Sequence, residues 1–443
     1  FMKREFGTKL IEQVLPRMDL SHVIDTSGAY IPGHGTPTVI LFGRHRAPVA
    51  NSVRTVMGIK GEPSTPNEPA KGLVWSAILD QIDHVDSESE FISTADTDRL
   101  VFSKHPWSIG GGGAAELRSI LEEDKAILTN TGADLGFLVI TGEDGCLMFP
   151  SSAVKRLGFS HVMPIGEGDT IRDWCNVTDL QVLWPYDETG ADLPDVEVKS
   201  HIDGLWPYRT SLKERKAFGV PVEQKGLRWW DLREVYKDRL DPPLTITFAF
   251  VAPHNHFVLE RGGKVFKQSA PVIKLPRGTT EEQHLALLGL LNSSTACFWM
   301  KQVGHQKQMM GGEGIRVSER SKVPYEFPST QLGKLPLPLN WPNVSLYRQL
   351  VELAREADNL AAKQESPSVA DVIERGLTEK VSISALWNEV LAMRMVCRSR
   401  LIVIQEEIDF LSYIIYGLTD DTQLLGPTSS VEMAIHPGER PFC

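Results

Sequence analysis

The stretch DLSHVIDTSGAYIPGHGTPTVILFGR, residues 19–44, places two apolar runs on either side of a loop rich in glycine and proline. Residues 21–25 and 36–42 contain the β-branched and large apolar side chains that favour strands. The loop between them carries one aromatic residue, Tyr30, shortly before the run Pro-Gly-His-Gly. This order predicts two strands of a sheet, with the aromatic side chain at a strand end.

The residues before this stretch predict a helix. In residues 2–15 the apolar side chains of Phe6, Leu10, Ile11 and Val14 recur at helical spacing. Pro16 ends the helix because proline has no backbone N–H to donate. A chain that runs from a helix directly into sheet strands is typical of the distal half of an α/β domain, so we expect this sequence to be part of something longer.

The composition is that of an ordinary globular protein of 443 residues, enough for two or three domains. No apolar run approaches the roughly 18 residues that a membrane helix needs, so we expect no membrane association. Five scattered cysteines, none in a CxxC pair, favour reduced thiols and a cytoplasmic location, and argue against a zinc site. We therefore expect no metal.

The net charge of −11 is unusual for a protein that binds nucleic acid. The charge is unevenly distributed, however. Residues 61–98 hold nine acidic side chains and one basic side chain, whereas residues 207–239 hold nine basic and five acidic ones. Residues 301–322 also carry more bases than acids. A solvated surface is an equally good interpretation of any single cluster.

These patterns predict an α/β protein, α+β overall, in several parts. Residues 1–60 are expected to form the distal part of a sheet domain, and residues 61–100 an acidic linker with one helix. Residues 101–340 are expected to form a mixed α/β domain with short strands and many turns. Within it, residues 281–303 predict one helix. Residues 341–420 predict a hairpin of two long helices with Pro367 in its loop, followed by a tail at 421–443.

Two other motifs have competing interpretations. The run Gly110–Gly113 could hold a phosphate at the start of the following helix, but it lacks the Lys-Ser/Thr of a P-loop, so a turn that opens a helix is favoured. His254 and His256 could face one side of a strand as a metal pair. No third ligand is evident in the sequence nearby, which favours surface or hydrogen-bonding histidines.

The loop of Tyr30 and the basic middle of the chain are the best candidate sites. Glycine lets a backbone approach a ligand closely, and an aromatic ring at a strand end suits stacking on a flat heterocycle; a plain core role for Tyr30 is equally probable on residue chemistry alone. Arginine and lysine contact phosphates and can read base edges. The candidate DNA contacts are Arg209, Arg228, Trp229, Lys301, Lys307, Arg316 and Lys322.

The residues 1–44 together resemble the distal half of the catalytic domain in gamma-type DNA adenine methyltransferases, closest to the PglX family of the BREX phage-resistance systems. Later stretches are similar too, among them GEPSTPNEPAKGLVWSAI, HPWSIGGGG, GDTIRDW, APHNHFVLERGGKVFKQSAPVIKLP and QEEIDFLSYIIYGL. The run LLGLLNSSTACFWM resembles a helix of target-recognition domains in restriction–modification enzymes. The resemblance extends from Phe1 to about Leu418.

This resemblance implies the transfer of a methyl group from S-adenosylmethionine to N6 of an adenine that is flipped out of double-stranded DNA. In such enzymes an Asn-Pro-Pro-Tyr/Phe motif holds the amine and a second aromatic stacks on the base. By its place before the loop and strand, Tyr30 matches that aromatic. An alignment shifted by one residue would place Ile31 at the same position. Pro32, Gly33 and His34 then complete the catalytic loop.

The sequence departs from the family pattern because it contains neither an Asn-Pro-Pro-Tyr motif nor a glycine-rich cofactor motif after an early strand. We therefore expect the main S-adenosylmethionine pocket upstream of this chain, no cofactor-binding residues within it, and no activity of this piece alone. The implied domains are a partial methyltransferase sheet over residues 1–60, a target-recognition domain over 101–340 and a helical spacer over 341–420. Other phage-defence proteins are candidate partners.

Two further hypotheses compete. A non-catalytic DNA-specificity module of a restriction–modification complex would account for residues 101–418, but not for the methyltransferase-like strands of the first 46 residues. An interaction scaffold with no role on DNA is favoured only by the net charge. DNA affinity that falls steeply with salt would count against the scaffold.

Overall fold

The computed structural model describes residues 1–3, 5–33, 38–107, 109–172, 174–217, 219–306, 324–338 and 346–420. They form two compact units of mixed α/β structure, which confirms the expected fold class. Unit 1 comprises Phe1–Lys125, Val251–His254 and Phe298–Gln331, and unit 2 comprises Ala126–Phe250, Asn255–Cys297 and Leu332–Cys443.

The α-helices, in chain order, are α1 (Leu73–Gln81), α2 (Ala114–Glu122), α3 (Asp144–Leu147), α4 (Ser151–Leu157), α5 (Lys199–Leu205), α6 (Arg209–Glu214), α7 (Glu281–Leu291), α8 (Ser294–Val303), α9 (Ser329–Leu332), α10 (Leu346–Glu365), α11 (Val369–Glu379) and α12 (Ile383–Tyr416). The four long strands are β1 (Asp19–Asp25), β2 (Val39–Arg44), β3 (Ser52–Gly58) and β4 (Ile92–Asp98).

The remaining strands have two to five residues. They are Ala126–Ile127, Asp134–Gly136, Val139–Ile140, Met148–Pro150, Val162–Gly166, Ile171–Arg172, Cys175–Asn176, Leu180–Leu183, Lys216–Ala217, Val220–Pro221, Glu234–Val235, Thr245–Phe248, Val251–Ala252, Phe257–Glu260, Val265–Phe266, Val272–Lys274, His305–Gln306, Tyr325–Glu326 and Pro336–Leu337.

The sheet of unit 1 has the strand order β2-β1-β3-β4. Strand β1 pairs with β2 in antiparallel register, Asp25 opposite Val39, and with β3 in parallel register. Successive side chains of a strand point to opposite faces. Val23 accordingly packs with Ile11 on one face, while Ile24 packs with Ile78 of α1 on the other. Both faces of β1 are therefore covered, as in α/β proteins.

The predicted N-terminal helix is only partly correct. The segment is helical but irregular, with 3₁₀ turns at Glu5–Gly7 and Leu15–Arg17 and a π-helical turn at Leu10–Val14, where the Leu15 N–H donates to the Leu10 carbonyl. Such i→i+5 bonding displaces later side chains from the face that regular helical spacing predicts. Within this segment Phe6 is 73% exposed while Ile11 is buried.

The predicted linker over residues 61–100 is not a linker in the structure. It contains α1, which packs on the sheet, and β4, whose residues pair with β3 from Ser52–Asp98 to Gly58–Ile92. Strand β4 lies at the edge of the sheet, and the exposed acidic side chains of Asp96 and Asp98 made it resemble a linker in the sequence. The predicted boundaries at 60, 100 and 340 likewise differ from the observed division into units.

In unit 2 the predicted helix over residues 281–303 is interrupted. Helix α7 ends at Leu291 and α8 begins at Ser294, because Asn292 turns its side chain to another part of the chain. Its carbonyl Oδ1 accepts from the Phe257 N–H at 3.0 Å, and its amide Nδ2 donates to the Phe257 carbonyl at 2.9 Å. Asn292 thus pairs with the backbone of a strand, and the helix is interrupted at this position.

Helices α10 and α12 confirm the two predicted long helices, with Pro367 in a loop after α10. Arg400 of α12 pairs with Glu356, and Arg394, earlier in α12, donates to the Pro367 carbonyl. The two helices therefore run antiparallel. The short helix α11, which the sequence analysis did not predict, lies between them in the chain and begins with a capping interaction of Ser368 with Asp371.

Candidate functional site

The carboxyl ends of β1 and β3 form one edge of the unit 1 sheet, because these two strands are parallel. Asp25 is the last residue of β1 and Gly58 the last residue of β3. Gly110 forms a parallel bridge with Gly58, and the Gly111 N–H donates to the Gly58 carbonyl at 3.3 Å. In open α/β sheets ligands bind outside the carboxyl ends of strands, so this edge is the candidate site.

Asp25 places a carboxylate at this edge. Its Oδ1 accepts a hydrogen bond from the Ser27 N–H at 2.8 Å, and the Gly58 N–H also donates to the carboxylate. Burial raises the pKa of Asp25, while the hydrogen bonds from Ser27 and Gly58 and the charge of Lys3 oppose the increase. Asp25 is therefore a hydrogen-bonded, partly desolvated acceptor.

Lys3 supplies a cation to the same region. Its Nζ donates to the Lys301 carbonyl at 3.0 Å. Burial lowers its pKa from 10.5 to about 8; the positive charge of Arg118 lowers it further, and Asp25 opposes that decrease. The sequence analysis missed both Lys3 and Asp25, because their significance depends on residues far away in the chain.

Tyr30 follows β1 by five positions and lies in the loop at this edge. The loop is held by the Ala29 N–H, which donates to the Thr26 carbonyl at 3.1 Å, and by the Glu62 N–H, which donates to the Gly28 carbonyl at 2.9 Å. The Tyr30 side chain is half-buried, so part of the ring is accessible. Its role in stacking on a flipped base stays a prediction.

The rest of the predicted catalytic loop is partly described. Pro32 and Gly33 are exposed, and Gly33 has a positive φ of 68°, which a residue with a side chain rarely adopts. His34 lies outside the described residues. The structure therefore places Tyr30, Pro32 and Gly33 together at the end of β1.

Glu62 holds the Tyr30 loop to α1, a role that the sequence analysis missed. Its side chain is buried, and its Oε1 accepts from the Val74 N–H at the start of α1 at 2.8 Å. A carboxylate at a helix N-terminus satisfies an unpaired backbone donor and complements the helix dipole. The backbone of the same residue bonds to Gly28, so one residue connects the loop to the helix.

The glycine run forms a turn that opens α2, with Gly112 and Gly113 at positive φ, as the favoured interpretation predicted. It borders a cavity of about 190 Å³ that is also lined by three acidic residues, Asp86, Glu88 and Glu116. The negative charge of these three carboxylates repels a phosphate ligand, which is also negative. The alternative of a phosphate cradle therefore has no electrostatic support.

Lys301, a predicted DNA contact, lies in unit 1 near the end of α8. Its Nζ is 3.2 Å from Nδ1 of His254 and 5.7 Å from the ring centroid of Tyr325. These contacts fix the side chain within unit 1. They also give His254 the hydrogen-bonding role that the sequence analysis favoured over metal binding. The part of the chain that the structure describes contains no group of three His, Cys, Asp or Glu side chains suited to a metal.

Arg228 and Trp229 of unit 2 are occupied by contacts within the chain. Arg228 Nε donates to the Asp231 carboxylate at 3.0 Å, and its terminal nitrogens donate to the carbonyls of Leu193 and Pro185 at 2.7 and 3.2 Å. Trp229 is only 7% exposed. Both side chains are thus engaged by contacts within unit 2, and their expected role as direct DNA contacts stays a prediction.

Arg209 is placed differently. It is the first residue of α6, and its guanidinium carbon lies 5.1 Å from the centroid of the Trp206 ring. The other predicted DNA contacts, Lys307, Arg316 and Lys322, lie outside the described residues. Arg209 is half-buried, and no ion pair of it occurs among the described residues.

None of the helices within the described ranges is both long and apolar enough to cross a membrane.

No protein-family model matches the chain. Over nearly its whole length, however, the chain is similar to an adenine-specific methyltransferase. That relative is the adenine-specific methyltransferase PglX of Streptomyces coelicolor, with 41% identity over 429 residues, which cover 94% of this chain and 34% of the relative. The chain thus spans about a third of the length of the relative, and the resemblance inferred from its motifs is confirmed.

Two solved structures align with most of the chain. The type IIL restriction–modification enzyme MmeI in complex with DNA has a TM-score of 0.48 and 12% identity, over 92% of this chain and 44% of that one. The type IIG restriction endonuclease BpuSI has a TM-score of 0.37 and 12% identity, over 95% of this chain and 46% of that one. Both scores lie below 0.5, so neither defines the fold.

Proposed function

We propose that this chain is the DNA-recognition and partial catalytic portion of a site-specific adenine-N6 DNA methyltransferase of phage defence. The observation that carries the proposal is the 41% identity to the PglX methyltransferase over 94% of the chain. The double-stranded DNA substrate, the S-adenosylmethionine cofactor and the partners among phage-defence proteins belong to the same proposal.

Tyr30 has the central role in this proposal. An adenine inside a duplex cannot present its exocyclic amine to an enzyme, so it must be extruded and held, commonly by an aromatic ring. Tyr30 is half-buried at the carboxyl edge of β1 and β3, and its loop is anchored by the Glu62–Gly28 hydrogen bond. An anchored, partly accessible ring at this edge suits stacking on the extruded base.

The cofactor does not fit the cavity beside the glycine turn. At about 190 Å³ the cavity is smaller than the roughly 300–1,000 Å³ of typical small-molecule sites. We therefore propose that the main pocket for S-adenosylmethionine is formed by residues outside this chain.

The first test concerns DNA binding by the chain itself. Its affinity for a random-sequence duplex, measured by fluorescence anisotropy, should fall linearly on a plot of log K against log salt concentration, because phosphate contacts release counterions. Absence of binding at low salt would contradict DNA recognition and favour the scaffold hypothesis.

The second test concerns Tyr30 in the gene product that contains this chain. Tyr30→Ala should lower N6-methyladenine in host DNA about tenfold or more, because base stacking on one aromatic ring contributes roughly 1–3 kcal/mol. Tyr30→Phe, the matched control, keeps the ring and should stay near the wild-type level. Wild-type methylation by Tyr30→Ala would exclude stacking, and a gene product without methylation but with DNA binding would favour the non-catalytic specificity module.

A further inference from the structure

A short helical turn in unit 2 presents aromatic rings to solvent. Trp206–Tyr208 forms one 3₁₀ turn between α5 and α6. Trp206 is 60% exposed and Tyr208 is 49% exposed, although both are large aromatic side chains. A lone exposed aromatic is common on protein surfaces and carries no meaning by itself. The surroundings of Trp206 distinguish it.

The Trp206 ring is backed by a row of edge-to-face aromatic contacts. Its centroid lies 6.1 Å from that of Trp229, which in turn lies 5.2 Å from that of Trp230. Both of these partners are buried, and Arg228 lies over the Trp230 ring. The exposed indole is therefore supported by a packed interior, which lowers the entropy that it loses when it binds a ligand.

Arg209 adds a cation to the same surface. Its guanidinium carbon lies 5.1 Å from the Trp206 centroid. Its Nε is buried without a hydrogen-bond partner, and no ion pair of Arg209 occurs among the described residues. Arg215, by contrast, donates to four backbone carbonyls, and Arg228 pairs with Asp231. The buried Nε cannot reach an external acceptor, so the donors that Arg209 has left for one are its terminal nitrogens.

An exposed, supported indole next to a cation without a carboxylate partner is complementary to nucleic acid. Aromatic rings stack on bases irrespective of sequence, and arginine contributes both phosphate contacts and cation–π interactions. The local charge agrees, since residues 199–216 hold five Lys or Arg side chains against two acidic ones.

We propose that Trp206 and Arg209 form a DNA contact of unit 2, in which the indole stacks on an unstacked base and the guanidinium binds an adjacent phosphate. This inference rests on the proposed function, because it requires that the chain bind DNA. It replaces the buried Trp229, which the sequence suggested, with Trp206.

The test uses the intact chain and two fluorescent probes of the same random sequence, one fully paired duplex and one duplex with a single unpaired base. Trp206→Ala should weaken binding to the probe with the unpaired base about tenfold, and binding to the paired duplex less. Arg209→Gln should weaken binding to both probes and reduce the slope against log salt concentration by about one. Phe410→Ala, which removes an exposed aromatic of α12, is the matched control and should change neither affinity.

The outcomes separate this inference from the proposed function. If the wild-type chain binds DNA and Trp206→Ala binds both probes as tightly as the wild type does, the proposed contact is overturned but the proposed function is not. An equal loss on both probes would overturn base stacking. Absence of wild-type binding would overturn both proposals, and a change of oligomeric state in Trp206→Ala without an effect on DNA would identify a protein-binding surface instead. If Trp206→Ala melts early, Trp206→Leu keeps the apolar contact with Trp229 and removes the stacking ring.

Discussion

Lys3 donates a hydrogen bond from its ammonium nitrogen to the Lys301 carbonyl at 3.0 Å, although 298 positions separate the two residues in the chain. The bond connects the first residues of unit 1 to the end of α8, whose own Lys301 side chain contacts His254. The candidate edge around Asp25 is therefore built from distant parts of the sequence.

The pKa of Lys3 predicts a pH dependence of stability. In the folded chain it is lowered to about 8 from an ordinary value of 10.5, chiefly by burial. Between these values the unfolded chain binds more protons, so the contribution of Lys3 to the free energy of unfolding rises with pH in this window and is constant below it. Relative to Lys3→Met, the wild type should gain about 1–3 kcal/mol from about pH 7 to about pH 10.

Chemical denaturation of both proteins across this range measures the difference. The exposed Lys9→Met is the matched control, because Lys9 lies on the same N-terminal segment. A difference between wild type and Lys3→Met that stays constant with pH would show that Lys3 is solvated in the folded chain.

The environment of Arg228 predicts a structural rather than a DNA-binding role. Asp231 is 1% exposed, so Arg228→Ala would leave a buried carboxylate without its partner. Removal of one member of a buried pair costs about 3–5 kcal/mol. Arg228→Ala should therefore lower the melting temperature, while the folded protein keeps its DNA affinity.

Arg209→Ala provides the opposite case, with weaker DNA binding and an unchanged melting temperature. The double variant Arg228→Met/Asp231→Asn should recover much of the lost stability, since both charges are then absent. An Arg228→Ala protein that is as stable as the wild type but binds DNA poorly would restore the original assignment.

The surroundings of Gly111 at the candidate edge leave no room for a side chain. A Cβ at this position would lie 2.6 Å from Ser93 Oγ, 2.8 Å from Ile59 Cγ1 and 3.0 Å from the Met57 carbonyl oxygen. Gly111→Ala should therefore destabilise the chain by about 1–3 kcal/mol in thermal or chemical unfolding. Gly145→Ala is the control, because nothing lies within 4 Å of its Cβ position. Equal stability of the two variants would mean that the turn relaxes freely.

The hydrogen bonds of Asn292 predict how much the break between α7 and α8 contributes to stability. Asn292→Ala removes both hydrogen bonds to Phe257 and leaves the buried N–H and carbonyl of Phe257 unsatisfied. The free energy of unfolding should fall by about 2 kcal/mol. The helix content by circular dichroism should not increase. Asn51→Ala, at an exposed position, should be neutral. A stabilised variant with more helix would show that the break is imposed by the asparagine alone.

The sequence was sufficient for features that depend on neighbouring residues. The β-branched runs predicted β1 and β2, the glycine run predicted a turn at the start of α2, and the apolar spacing predicted α10 and α12. The sequence was not sufficient for features that depend on residues far apart in the chain. The break at Asn292 depends on Phe257, and the occupation of Arg228 depends on Pro185, Leu193 and Asp231.

The same distinction applies to the candidate site. Tyr30 could be proposed from its place after a strand, whereas Lys3 and Asp25 became visible only when the two parallel strands were aligned. For the proposed aromatic DNA contact, residue type alone favoured Trp229 beside Arg228. Only the burial of each indole distinguishes Trp229 from Trp206.

The discontinuity of unit 1 limits how unit 2 can be exchanged between relatives. The chain passes from one unit to the other after residues 125, 250, 254, 297 and 331. The passage after residue 297 falls inside α8, Ser294–Val303. A chimaera made by a single crossover between residues 3 and 301 would therefore divide unit 1 between two parents, and its Lys3–Lys301 bond would join residues that had not evolved together. Exchange of unit 2 as a module requires that Phe298–Gln331 remain with the parent of the N-terminal sheet.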